Sequence, residues 1–159
     1  MIGVDELSEV FVYLSLRDCV RCVQVCRKWK RAFQKSLHRR SFSSLSYSVR
    51  NEGLKLFSGV QEINLSCTCV TDEGMRWLKG VQKINLSCTK VTDKGLKWLK
   101  GVHSINLQGT KITNTGLEWL QGVSEINLAY TKVTDEGLKW LKGVQKVNLR
   151  CTNVTDQGL

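Results

Sequence analysis

The chain of 159 residues contains no proline, and only two histidines. No turn or helix start in it can therefore rest on a ring-fixed φ. The histidines, His38 and His103, stand alone, with no nucleophile or carboxylate partner implied by their neighbours. There is no glycine-rich phosphate loop, no pair of catalytic carboxylates and no Ser-His-Asp order. The sequence thus offers no enzyme active site and implies no cofactor. No apolar run approaches the roughly 20 residues that cross a bilayer, and nothing at the start resembles a signal peptide. The chain is expected to act inside the cell, in the cytoplasm, the nucleus or both, with no membrane partner. Seven cysteines, an odd number, suit reduced thiols in that setting.

What is abundant is positive charge, +10 overall. It divides evenly. Residues 1–40 hold nine Lys and Arg against four Asp and Glu, and residues 41–159 hold fifteen against ten. A basic chain can serve nucleic acid. Here the lysines at 79, 100 and 142, and at 90, 111 and 132, recur only because a longer pattern recurs, and no RGG run or aromatic RNA-binding motif accompanies them. A solvated, lysine-bearing surface is the simpler reading.

The longer pattern organises the chain. Gly80–Lys100 reads GVQKINLSCTKVTDKGLKWLK; the preceding turn starts at Gly59, and the following ones start at Gly101, Gly122 and Gly143. The period is 21 residues without an insertion, which is the signature of a solenoid. Val81, Ile84, Leu86, Thr89 and Val91 fall on the pattern L-x-x-L-x-L-x-x-N/C-x-L. Ile84 and Leu86 alternate with Lys83, Asn85 and Ser87, as in a strand with one face inward. Thr89 is expected to bond the backbone where the chain leaves the strand. Thr92 and Asp93 are expected to cap a short helix carrying Leu96 and Leu99. Gly101 would let the chain turn back. The sequence resembles leucine-rich-repeat proteins, particularly the short "VTDxGL" kind and the cysteine-containing kind found in F-box proteins.

Residues 1–40 do not carry the repeat. Leu7, Val10, Phe11 and Leu14 have helical spacing, and a second helical pattern runs through Cys22, Val25, Cys26 and Trp29. Ile2-Gly3-Val4-Asp5-Glu6-Leu7, then Val10-Phe11-Val12-Tyr13-Leu14-Ser15-Leu16-Arg17-Asp18, then Val25-Cys26-Arg27-Lys28-Trp29 resembles an F-box, roughly L-P-x-E-x-L-x-x-I-F-x-Y-L-x-L-x-D followed by V-C-x-x-W. The segment departs from that pattern at Gly3, where the family has proline, and at Asp5, where it has glutamate. The expected fold class is α/β: a leucine-rich-repeat solenoid of parallel strands and short return helices, preceded by a small all-α F-box. The expected divisions are 1–40 for the F-box, 41–58 for a degraded first repeat whose strand half is one residue out of phase, and 59–159 for the repeats, the last one truncated.

The resemblance implies a substrate-recognition subunit of an SCF-type ubiquitin ligase. Ile2, Leu7, Val10, Phe11, Leu14, Leu16, Val25 and Trp29 would dock a Skp-type adaptor, and through it a cullin. The chain itself would not be catalytic. A protein substrate would lie on the outward face of the sheet, where a nearly constant scaffold varies. Glu62, Lys83, Ser104, Glu125 and Lys146 share one column; Ser66, Ser87, Gln108, Ala129 and Arg150 share the next; Cys67, Cys88, Gly109, Tyr130 and Cys151 share the third. The candidate substrate contacts are Glu62, Lys83, Gln108, Glu125, Tyr130, Lys146 and Arg150. The lesser alternative is that Glu62–Lys83 and Glu125–Lys146 are mere cross-strand pairs. Asn64, Asn85, Asn106, Asn127 and Asn148 are expected to bond one another along the ladder. Trp77, Trp98, Trp119 and Trp140 are expected to stack ring on ring along the return arm. Cys19, Cys22 and Cys26 could suggest a metal, but three ligands on one helix read better as small core residues, and no metal is assigned. A plain interaction scaffold and a nucleic-acid-binding array remain the alternative readings.

Overall fold

A computed structural model describes residues 27–36, 41–42 and 49–158. Ile2, Leu7, Val10, Phe11, Leu14, Leu16 and Val25 of the expected adaptor set lie outside these residues, as do Cys19, Cys22, Cys26 and His38. The described chain opens with helix α1 (Arg27–Ser36), followed by strands β1 (Ser41–Phe42), β2 (Glu62–Asn64), β3 (Lys83–Asn85), β4 (Ser104–Asn106), β5 (Glu125–Asn127) and β6 (Lys146–Asn148). They form one parallel sheet in chain order. Every pair is in register at the repeat period, as in Ile84↔Ile105. This is the leucine-rich-repeat solenoid that the periodicity predicts.

Two details differ from expectation. β1 pairs Ser41 with Glu62 and Phe42 with Ile63, so the degraded repeat is in phase rather than shifted by one residue. The phase is set by pairing to a well-formed neighbour, which a serine-rich stretch does not reveal. Val147 is 43% exposed, whereas its counterparts Ile63, Ile84, Ile105 and Ile126 are 1–3% exposed. Among the described residues β6 is the edge strand of the sheet, and no further rung lies against it.

Three of the five described return arms are one α-turn followed by a 3₁₀ turn. Their α-turns are α2 (Asp72–Met75), α3 (Asp93–Leu96) and α4 (Asn114–Leu117); the first arm, Gly53–Phe57, and the fifth, Asp135–Trp140, are 3₁₀ throughout. Such an arm is too short to propagate a helix by itself, so packing holds it. Leu96 and Leu99 are buried beside Val81, Ile84, Leu86 and Val91, as the pattern requires. Gly101 has φ +84°, the left-handed turn that returns the chain to the next strand.

Polar groups stitch the turns. Each buried threonine hydroxyl donates within its own turn, as from Thr89 to the Leu86 carbonyl at 2.7 Å. The expected capping by Thr92 and Asp93 is not what forms. Thr92 occupies the N-cap position in extended backbone and makes no cap bond. Its N–H and hydroxyl instead donate to the Asp72 carboxylate of the preceding repeat, both at 2.7 Å. The motif recurs as Asp93–Thr113 and Asp135–Thr155, and with asparagine as Asn51–Thr71 and Asn114–Thr134. One turn's acceptor thus satisfies the next turn's orphan donors, and no buried side-chain N or O among the described residues lacks a partner. Gly95 has no side chain because an added Cβ would lie 2.7 Å from Asp72 Oδ1 and 3.0 Å from Val91 Cγ1.

α1 closes the N-terminal side of the described core. Trp29, Ala32, Phe33 and Ser36 lie on one helical face. Ala32 and Phe33 are fully buried, and Trp29 is half-buried against the same core. Phe33 meets Phe57 of the first return arm edge-to-face, with ring centroids 6.2 Å apart.

Candidate functional site: the outward face of the sheet

The strand spacing brings the first variable column into line. Glu62, Lys83, Ser104, Glu125 and Lys146 run across five rungs and, with the asparagine column and the strand isoleucines, line a shallow groove of about 560 Å³. Lys83 Nζ lies 3.1 Å from Glu62 Oε1, and Lys146 Nζ donates to Glu125 Oε1 at 2.6 Å. Ser104 Oγ donates to Glu125 Oε2 at 3.4 Å. The hydrogen bond and charge of Lys146 hold the Glu125 carboxyl below the ordinary carboxylate range, and the same contact raises Lys146. Four of the seven candidate contacts are therefore two cross-strand ion pairs. Both pairs are solvent-exposed, where water screens such contacts and leaves them weak. They leave the column neutral, and a ligand displacing them would have to replace their bonds.

The asparagines are not a self-bonded ladder. Each side-chain oxygen accepts an N–H two residues ahead in its own chain, as Asn85 Oδ1 does from Ser87 at 3.0 Å. This turns the chain off the strand, a local bond that short amide side chains favour. The Asn127 amide also donates to Gln108 Oε1 at 3.3 Å. Asn85, Asn106 and Asn148 keep their amide N–H groups free among the described residues, so the groove floor presents hydrogen-bond donors.

In the second column Ala129 is buried and contributes no exposed contact. Arg150 is exposed, and its guanidinium has no partner among the described residues. The third column sits where the backbone turns left-handed. Cys67, Cys88, Tyr130 and Cys151 all have φ between 54° and 58°, and Gly109 has 67°. Only glycine adopts such angles without cost, so the four side chains are held there by the turn. Tyr130 is 51% exposed, and the Cys151 thiol beside it raises its phenol pKa. Outside the ion pairs, the exposed members of the expected set are thus Tyr130, whose phenol shares a hydrogen bond with Cys151, and Arg150 on the adjacent rung, with Gln108 one rung before them.

The opposite side of the array carries the tryptophans, and they do not stack ring on ring among the described residues. Cations cover them instead: Lys55 and Arg76 lie 5.4 and 5.5 Å from the Trp77 ring, Lys97 5.1 Å from Trp98, and Lys139 5.2 Å from Trp140. The repeat places a basic residue immediately before the tryptophan, and a flexible stem lets the charge fold back over the π face. At Trp119 the preceding residue is Glu118, and that ring helps to line a recess of about 280 Å³. Among the described residues no group of three His, Cys, Asp or Glu could hold a metal ion, and no helix is long and apolar enough to cross a membrane.

Comparison with known families agrees with this architecture. An F-box-like family model matches residues 4–44, and a leucine-rich-repeat model matches residues 60–78 and 81–99. The chain carries an F-box-like domain followed by leucine-rich repeats, which is the composition of an F-box/leucine-rich-repeat protein. The F-box-like match includes α1 and reaches β1, so it abuts the first rung of the solenoid. No curated protein matches the chain.

Proposed function

We infer that the chain is the substrate-recognition subunit of an SCF-type ubiquitin ligase. The F-box-like segment docks a Skp-type adaptor and thereby a cullin, and the outward sheet face holds a protein destined for ubiquitination. The observation that carries this reading is the direct junction of an F-box-like match with a solenoid whose exposed face varies along a constant scaffold. Catalysis then belongs to other subunits, and this chain supplies proximity. Ile2, Leu7, Val10, Phe11, Leu14, Leu16 and Val25 form the adaptor contact. Trp29, wedged against the core on α1, fixes the orientation of that contact relative to the array. Tyr130 and Arg150 anchor the substrate, with Gln108 beside them. The ion pairs Glu62–Lys83 and Glu125–Lys146 set register and exclude mismatched charge.

The test compares wild type, Leu14→Ala and Gly3→Pro in co-purification with a Skp-type adaptor, with circular dichroism on each. Binding by wild type that Leu14→Ala loses, with the solenoid still folded, supports the reading. Gly3→Pro should strengthen binding, since proline pre-sets the first helical turn. Wild type that fails to bind rejects the ligase role and leaves an interaction scaffold whose helical segment only seals the array.

A further inference from the structure

Cys67 and Cys88 occupy the same position of adjacent turns and are unused by the reading above. Both are exposed free thiols. Their backbones share one conformation, φ 56° in each, so their Cα–Cβ bonds point the same way relative to the stack. The turns are held in register at this point: the Cys67 N–H donates to the Ser87 carbonyl at 2.8 Å, and the Cys88 N–H to the Gln108 carbonyl at 2.9 Å. Adjacent rungs lie about 4.8 Å apart, inside the Cα separation of roughly 4.4–6.8 Å that a disulfide spans. The side chains lean along the stack. A Cβ added at Gly109 would lie 3.4 Å from Cys88 Sγ, so Cys88 leans over the following rung. By the same geometry Cys67 leans over Cys88. Neither remaining described cysteine has this arrangement. Cys151 follows Tyr130 in the column, and Cys69 lies two residues beyond Cys67, outside the column.

We propose that Cys67 and Cys88 form a peroxide-responsive dithiol that closes to a disulfide across the first two full repeats. The Cys67 thiolate attacks a hydroperoxide, breaking the O–O bond; it becomes a sulfenic acid, and an alkoxide (or hydroxide) leaves. The Cys88 sulfur then attacks that sulfenic sulfur, the S–S bond forms, and the departing hydroxide takes the Cys88 proton as water. The alkoxide takes up the proton that Cys67 lost, so two thiols and one hydroperoxide give one disulfide, one alcohol and one water. Burial and the neighbouring Cys67 push the Cys88 thiol pKa up, which suits Cys88 as the resolving sulfur. In a reducing compartment such a bond is transient, so its natural use is sensing rather than stapling.

The test treats the reduced full chain with hydrogen peroxide, blocks remaining thiols with iodoacetamide and maps the unreduced digest by mass spectrometry. The expected product is a Cys67–Cys88 linked peptide, with Cys151 still alkylated. Cys69→Ser should keep the link. Cys88→Ser should abolish it and leave a sulfenic acid at Cys67 that dimedone traps. Repeating the oxidation in urea should lose the selectivity, because the fold creates the pair. The proposal is overturned if Cys67 and Cys88 are alkylated as fully as Cys151 after peroxide. It is also overturned if Cys67 links to Cys69 instead, or if urea leaves the yield of the Cys67–Cys88 peptide unchanged.

Discussion

Asp93→Ala probes the device that joins one turn to the next. Asp93 accepts the Thr113 N–H at 2.9 Å and the Thr113 hydroxyl at 2.6 Å, across the boundary between two repeats. Removing the carboxylate orphans both donors. A hydrogen bond to a charged group contributes roughly 1.5–3 kcal/mol when desolvated. Asp93 and Thr113 are half-buried, so water replaces part of the loss. The expected cost is about 2–3 kcal/mol for the pair. With an m-value of about 2 kcal/mol/M in urea, the midpoint should fall by about 1 M. The chain supplies its own control. At Asn114 the same position holds an amide, which donates to Thr134 Oγ at 2.7 Å and accepts its N–H at 2.9 Å. Asp93→Asn should therefore cost under about 1 kcal/mol, because geometry is kept and one bond merely reverses. Urea unfolding followed by circular dichroism measures both variants. If Asn is as damaging as Ala, the charge and not the ladder geometry holds the turns together. If Ala costs nothing, the cross-turn bond is not structural.

Gly95→Ala should destabilise despite ordinary helix propensity, by about 1–3 kcal/mol, because the added Cβ crowds Asp72, Val91 and Met75; thermal melting of wild type and variant checks it. The Thr155 N–H and hydroxyl hold the Asp135 carboxyl below its ordinary range, so its stabilisation is present above the ordinary carboxylate pKa near 4. It is lost as pH falls through the depressed value, and Thr155 amide exchange measured by NMR from pH 5 downward should speed up there beyond the intrinsic trend. Around β6, the amides of Val147 and Leu149 should exchange before those of Ile105, since Val147 is 43% exposed and Ile105 2%; equal protection would mean that something covers β6.

Much of the fold was legible because the repeat is written five times. Ile84, Leu86, Leu96 and Leu99 announce a strand and a return arm by spacing alone, and the threonine at 89 behaves as its position suggests. What was not legible is what crosses between turns. Asp72 looks like a cap for its own helix, yet its partner is Thr92, 20 residues on. Asn85 looks like one rung of an amide ladder, yet the nearest free donor is its own chain two residues ahead. Trp98 looks like a stacking column, yet Lys97 competes for the ring and wins by adjacency. The candidate face was legible as a set of columns. Its energetic hierarchy was not, because only the folded stack brings Glu62 against Lys83 and Glu125 against Lys146 while leaving Arg150 without a partner among the described residues.

In the function proposed above, this chain hands a protein held on its sheet to a ubiquitin ligase through a Skp-type adaptor. Titrating purified adaptor into the full chain by isothermal calorimetry tests it most directly. A saturable one-to-one isotherm that Leu14→Ala weakens at least tenfold, and that Arg150→Ala leaves unchanged, is the predicted result. No heat of binding for wild type, with the solenoid folded by circular dichroism, would contradict it, whatever Gly3→Pro does.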